Sequence, residues 1–449
     1  MNKYKTLLSN TLLISMGTFG SKLLVFLMVR FYTGYLTPSD YSTADLITQT
    51  ANLLFPIISL GITDGVFRFA MDGNYDRKSV FTLGLTAIIG GSLMFLIIAP
   101  LLGLVGDFKG YVWLIVVYTM AYCCHSLCSQ YIRAMGKTAL FAVQGIINTS
   151  LVIILNILFL AAFSMGITGY VLSVVLADTL CTLFLVIKEK LWQNLIFKPD
   201  ISIVKPILKY SIPLIPSTIF WWITSVSDRY MVNGMIGSDA NGIYTVSYKL
   251  PTVLTLVSSV FMQAWQFSAV TESEGDKKEH AKFFTQVWRS FQAVMFLAGS
   301  AIIAFAKPAI KLLAAKEYYG AWEYVPLLSV ALIFTAFIGA ASNIILNFLL
   351  IPSPLGAQGA AIATVASYFL VFIIRCFNVK KYIPFKLYGG HVAANTLIIF
   401  IQAAVMILEI NGWIFIQAIC IIALAVINFK FLIGFINKIL NSVFRGKKK

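Results

Sequence analysis

Val80-Phe-Thr-Leu-Gly-Leu-Thr-Ala-Ile-Ile-Gly-Gly-Ser-Leu-Met-Phe-Leu-Ile-Ile-Ala-Pro-Leu-Leu-Gly-Leu104 is an unbroken stretch of 25 residues without a charge. At 1.5 Å per helical residue, about 20 such residues cross the hydrocarbon core of a bilayer. A transmembrane β-barrel would instead alternate apolar and polar residues in strands of about 10. Twelve more apolar segments flank this one: from the N-terminus to about 29, then 44–67, 111–132, 140–163, 167–187, 207–228, 243–268, 284–306, 325–351, 356–375, 390–408 and 412–436. Short linkers join them, and the expectation is an all-α, polytopic membrane protein.

Composition agrees. Of the 449 residues, 59% are hydrophobic and 12% charged, with mean hydropathy +0.86. Soluble domains carry about 25% charge, so a soluble enzyme is excluded, and so is a disordered chain. The basic start Met1-Asn-Lys-Tyr-Lys5 resembles a signal peptide, but the apolar run continues to about Val29 with no small-residue cleavage site, so it reads as the first span. The net charge of +16 fits basic cytoplasmic loops and anionic headgroups. No polar basic domain exists to bind nucleic acid. The cysteines Cys123, Cys124, Cys128, Cys181, Cys376 and Cys420 sit in or beside apolar runs, where thiols pack as small apolar groups. Together with His125 the first three look metal-like, yet no second ligand pair faces them, and no metal or cofactor is expected. His125, His280 and His391 read as isolated. No Gly-x-x-x-x-Gly-Lys-Ser/Thr string occurs, so no ATP hydrolysis is expected.

Basic linkers alternate with nearly neutral ones. Arg77 and Lys78, Arg133 and Lys137, the run Lys188, Lys190, Lys198, Lys205 and Lys209, the run Lys277, Lys278, Lys282 and Arg289, Arg375 to Lys386, and the tail Arg445 to Lys449 mark one side. Linkers 33–43, 164–168, 233–242, 352–358 and 409–413 mark the other; Lys109, Lys307, Lys311 and Lys316 are exceptions. The positive-inside rule then puts both termini in the cytoplasm, which requires an even number of crossings. An internal repeat locates the conflict with thirteen. Arg30 with Ser39-Asp40 recurs as Arg229 with Ser238-Asp239, an offset of 199. Leu155-Asn156 with Gly166-Ile-Thr-Gly169 recurs as Leu346-Asn347 with Gly356-Ala-Gln-Gly359, an offset of about 190. The second copy is short near 325–351, where a compressed hairpin or one long helix is expected. The glycine pairs suit tight turns and close helix contacts. The organisation expected is a bundle over 1–190, a basic cytoplasmic linker over 191–206 and a second bundle over 207–449, with about 12–14 spans in all.

Leu7-Leu-Ser-Asn-Thr-Leu-Leu-Ile-Ser15 with Gly17, Gly20 and Lys22, Gly61-Ile-Thr-Asp-Gly-Val-Phe-Arg-Phe-Ala70, Tyr131-Ile-Arg-Ala-Met-Gly-Lys137 and Gly356-Ala-Gln-Gly-Ala-Ala-Ile-Ala-Thr364 carry a family resemblance. The chain resembles the Wzx-like polysaccharide and oligosaccharide flippases of the multidrug/oligosaccharidyl-lipid/polysaccharide (MOP) superfamily. The resemblance spans the chain and rests on diffuse patterns. It implies two pseudo-symmetric bundles and movement of undecaprenyl-diphosphate-linked repeat units across the bacterial cytoplasmic membrane, by alternating access and without a covalent step. It also implies membrane lipids, H⁺ or Na⁺ and the polysaccharide polymerase machinery as partners. A cation-coupled drug exporter of the same superfamily is the alternative.

Charges inside apolar runs are costly and are functional candidates by default. Here they are Lys22, Arg30, Asp45, Asp64, Arg68, Asp178, Asp228 and Arg229. Lys22 and Arg30 share a side of the first helix, and Asp64 and Arg68 are one turn apart. Lys22, Arg30, Arg68 and Arg229 are expected to line a cationic cavity for a diphosphate, with Asp64 holding Arg68. Asp178 and Asp64 are candidates for ion coupling or for ion pairs that only fix packing. Pro56, Pro213 and Pro216 should bend their spans.

Overall fold

The stretch from Val80 to Leu104 lies in one continuous helical rod. Asp76 starts it, its carboxylate accepting the backbone N–H groups of Lys78 and Ser79, which are orphan donors at any helix start. The α-helix runs Arg77–Ile98 and tightens to a 3₁₀ stretch over Ala99–Leu104. Pro100, which has no N–H to donate, stands at that change.

The computed structural model describes residues 26–104, 108–259, 261, 277–335, 362, 365–366 and 388–445. Lys22, the stretch 336–351, the pair Gly356/Gly359 and the cluster Arg375 to Lys386 lie outside the described residues. The described chain is helical without strands. In order it forms α1 Val29–Tyr35, α2 Pro38–Ile58, α3 Ile62–Met71, α4 Arg77–Ile98, α5 Val112–Ala134, α6 Thr138–Asn156, α7 Gly166–Glu189, α8 Val204–Ser211, α9 Leu214–Met235 and α10 Ser238–Ser247. There follow α11 Lys277–Ala304, α12 Ala306–Leu313, α13 Val325–Phe334, α14 Gly389–Ile407 and α15 Trp413–Arg445. The repeat seen in sequence has a structural counterpart: α2 starts at Pro38 and α10 at Ser238.

Five described helices are long and apolar enough to cross a membrane: Arg77–Leu104, Val112–Ala134, Thr138–Ala162, Gly166–Glu189 and Gly389–Ile407. Two bent pairs would raise this to seven: α2 with α3, bent by 54°, and Trp288–Ala304 with α12, bent by 69°. The rods around α4 and α6 are only 22% and 11% buried over their most apolar windows. Ile97, Leu104, Ile154 and Phe163 stand exposed along them. So apolar and so bare a surface is at home in lipid, where helices keep their backbone groups bonded internally.

The first bend has a local cause. Pro56 lies inside the last turn of α2, and Leu60 and Gly61 then take left-handed backbone angles, φ 52° and 61°. Gly61 accepts that angle freely because it lacks a Cβ. The carbonyl of Ile58 comes to rest on α4 at Gly91, where a Cβ would lie 1.9 Å from its oxygen. Pro216 sits in the first turn of α9, where proline is tolerated, and Pro213 is the residue before that helix.

Contacts divide the chain into two compact units, 1–242 and 243–449. In the first, α5 is central: it packs on α2, α3, α4, α6 and α7, burying Leu114, Ile115, Leu127 and Ile132 completely. In the second, α11 packs on α13, α14 and α15. Polar side chains cross-link this unit: Asn395 and Asn428 bond reciprocally, Gln402 donates to the Ser300 carbonyl and Gln417 to that of Gln402. The exceptional Lys307 is locally neutralised. It pairs with Glu409 and lies 4.1 Å from the ring centroid of Trp322 and 5.3 Å from that of Trp413, an amphipathic cluster suited to a membrane interface.

Candidate functional site

Within the first unit two polar clusters interrupt the apolar packing. One joins α2 to α9. Arg229 Nη1 donates to both carboxylate oxygens of Asp45, at 3.0 and 2.8 Å, and the two side chains are 12% and 9% exposed. Around them Tyr230 bonds Thr50 at 2.7 Å, Trp222 donates to the Gln49 carbonyl and Asn241 donates to Ser42. Ser42 in turn donates to Asn233. A charge pair this dry survives only with good geometry, and here one guanidinium nitrogen meets both carboxylate oxygens.

The second cluster joins α5, α6 and α7. His125 Nδ1 lies 3.1 Å from Asp178 Oδ1, and His125 Nε2 lies 2.8 Å from Gln144 Oε1. Asn148 donates to the same Asp178 oxygen at 2.6 Å. Gln144 Nε2 donates to Ser129 Oγ at 3.0 Å, and the Cys181 thiol donates to Gln144 Oε1 at 3.3 Å. The sequence reading of His125 as isolated is therefore corrected. Its partners come from helices 19 and 53 positions away, a relation that one-dimensional spacing does not carry. The signal that was there is polar residues one turn apart on otherwise apolar helices: His125 and Ser129, Gln144 and Asn148, Asp178 and Cys181.

The expected cations are placed as follows. Arg30 is exposed near the start of α1, and Arg68 is exposed on α3. The Arg68 guanidinium stacks on Tyr210, 4.3 Å from the ring centroid. Among the described residues no carboxylate lies within ion-pair distance of Arg68. The expected clasp from Asp64 is corrected accordingly: the two are one turn apart and exposed, and an aromatic ring supplies the contact instead. Asp178 is buried against His125 rather than an arginine, and Asp228 is buried in α9. Gly166 takes a left-handed φ of 56° and Gly169 leaves room for Met165 and Phe159, so this pair is a turn and a close contact. Outside the spans, Asp76 is held below the usual carboxylate range, chiefly by the backbone N–H of Ser79.

Compared with known proteins, the model of the family described as "Polysaccharide biosynthesis protein" matches residues 7–266, more than half of the chain. The chain belongs to the polysaccharide biosynthesis protein family. No curated protein matches it. Among solved structures it is similar to the lipid II flippase MurJ in an inward closed conformation, with TM-score 0.62 and 14% identity over 96% of this chain and 100% of that one. An inward-facing multidrug resistance MATE transporter of the MOP superfamily gives TM-score 0.56 and 12% identity, covering 95% and 96%. The MATE multidrug transporter DinF-BH gives 0.55 and 16%, covering 85% and 97%. The fold is thus the one these MOP-superfamily transporters and flippases share, and this member of the polysaccharide family is a multi-pass membrane protein.

Proposed function

We propose that the chain flips undecaprenyl-diphosphate-linked oligosaccharide repeat units from the cytoplasmic to the outer leaflet of a bacterial cell membrane, for capsule, O-antigen or exopolysaccharide assembly. The family match over residues 7–266 carries this reading. The chain works by alternating access, with both termini in the cytoplasm and no covalent step of its own. An inward H⁺ or Na⁺ movement drives it, and a polymerase takes the product.

Such a substrate brings a diphosphate through a low-dielectric core. Leaving even one charged side chain there costs about 2.5–3.5 kcal/mol on insertion scales. Fixed cations offset this by replacing water, and arginine does so best because its planar fork gives paired bonds to phosphate oxygens. In this reading Lys22, Arg30, Arg68 and Arg229 receive the diphosphate. The exposure of Arg68 beside Tyr210 supports its part. Asp45 holds Arg229 when no substrate is bound, and the anion competes for it.

Complementation tests the proposal. A strain lacking its repeat-unit flippase, supplied with this gene and the matching glycosyltransferases, should regain surface polysaccharide and lose its backlog of lipid-linked intermediates. Restored drug resistance without restored polysaccharide would favour the drug-exporter alternative.

A further inference from the structure

We propose that His125 and Asp178 form a binding site for one exchangeable proton inside the first unit, with Gln144 as its two-way partner. On the flippase reading above, on which this role rests, that proton is the coupling ion.

The geometry carries the argument. Both ring nitrogens of His125 face oxygen acceptors: Nδ1 the carboxylate of Asp178 at 3.1 Å, Nε2 the amide oxygen of Gln144 at 2.8 Å. An imidazole satisfies acceptors on both sides only when both nitrogens carry protons. In this amide orientation Gln144 Nε2 donates to Ser129, and Oε1 also accepts from the Cys181 thiol. Asn148 also donates to Asp178 Oδ1, which suits an ionised carboxylate. The occupied state is therefore imidazolium beside carboxylate, net neutral, with side chains only 13% and 8% exposed.

The empty state is equally well provided for. The Nε2–H bond of His125 breaks, the proton leaves to water and the electron pair stays on the ring. The Gln144 amide then turns over. Its Nε2 donates to the bare ring nitrogen, its Oε1 accepts from the Ser129 hydroxyl, and the Cys181 thiol keeps the Gln144 carbonyl, 3.4 Å away. Asp178 retains Nδ1–H and Asn148. No polar group is orphaned, but the site now holds one uncompensated negative charge, which burial penalises. Loss of the proton is thereby tied to a state that wets the cluster, the linkage an ion-driven transporter needs.

Other titratable groups face the pair. Cys181 of α7 bonds Gln144 beside it. Tyr118 and Tyr122 of α5 lie within electrostatic reach of Asp178, with Asp45 of α2 behind Tyr118 and Asp64 of α3 behind Tyr122. From α6 come Gln144 and Asn148, amides that do not titrate.

The test uses the full chain in lipid nanodiscs with ¹⁵N-labelled histidine, the His125 signal being assigned by its loss in His125→Gln. At pH 7 the wild-type ring should show two protonated nitrogens, and Asp178→Asn should make it neutral. A neutral wild-type ring, or an unchanged ring in Asp178→Asn, overturns the site. In the complemented strain His125→Gln and Asp178→Asn should lower export at least tenfold at normal protein level. Normal export from both overturns the coupling role while leaving the flippase reading intact. Should the wild-type chain itself export nothing, the flippase reading falls, and the nitrogen spectra alone decide whether the proton site exists.

Discussion

Arg229 and Asp45 meet from positions 184 apart and bury their charges together. Removing one partner leaves the other desolvated, at a cost of about 3–5 kcal/mol, whereas removing both is far cheaper. Arg229→Ala should therefore lower the melting temperature of detergent-solubilised protein sharply, and Asp45→Asn with Arg229→Gln should recover most of the loss. A melting point unchanged in the single variant would show that the pair is open to water. Arg68 should behave in the opposite way. It is exposed against Tyr210, so Arg68→Ala should leave melting temperature and expression nearly unchanged while polysaccharide export collapses. Arg68→Lys should restore part of the export, keeping charge without the planar fork. Both arginines stood out in sequence as charges in apolar runs. Their difference did not, because it depends on whether a carboxylate from another helix arrives.

At the scale of elements, the bend between α2 and α3 turns at Gly61, with φ 61°, and is seated by a close contact at Gly91. A methyl group at Gly91 would lie 1.9 Å from the Ile58 carbonyl oxygen, backbone against backbone, while Gly90 has open space. Overpacking of this kind costs about 1–3 kcal/mol. Gly91→Ala should thus destabilise the protein, while Gly90→Ala should be neutral or slightly stabilising, since alanine is the better helix former. Equal effects at both sites would remove the close contact from the account. The cap at Asp76 gives a pH prediction. Its folded carboxyl is held below the unfolded value of about 3.9, so its stabilisation is complete above that value and fades as pH falls through the lower folded one. Asp76→Ala should cost about 1 kcal/mol, by the same amount at pH 6 as at pH 8, and progressively less as the carboxyl becomes protonated in acid. Helix positions were legible because apolar length and capping are local. The bend was legible only as Pro56. The seat at Gly91 and the cluster at His125 were not, since both depend on which helices pack side by side.

For the whole molecule, the apolar runs were enough to read an all-helical membrane fold, and the MurJ and MATE likenesses bear that out. The basic linkers give an orientation to test. In a chain freed of its native cysteines, a cysteine at Ser164 should react with an impermeant reagent on intact cells, and one at exposed Lys198 only after permeabilisation. The reverse pattern would invert the topology and with it the direction of transport. The central claim, that this chain moves a diphosphate-linked oligosaccharide between leaflets, has one most direct measurement. Purified protein is reconstituted into liposomes carrying a fluorescent undecaprenyl-diphosphate-linked repeat unit, and a membrane-impermeant quencher reports how fast label from the inner leaflet becomes accessible outside, with and without a pH gradient. The account predicts rapid, gradient-dependent exposure of the inner half, lost in Arg68→Ala. Exposure no faster than in protein-free liposomes, with or without the gradient, would contradict it.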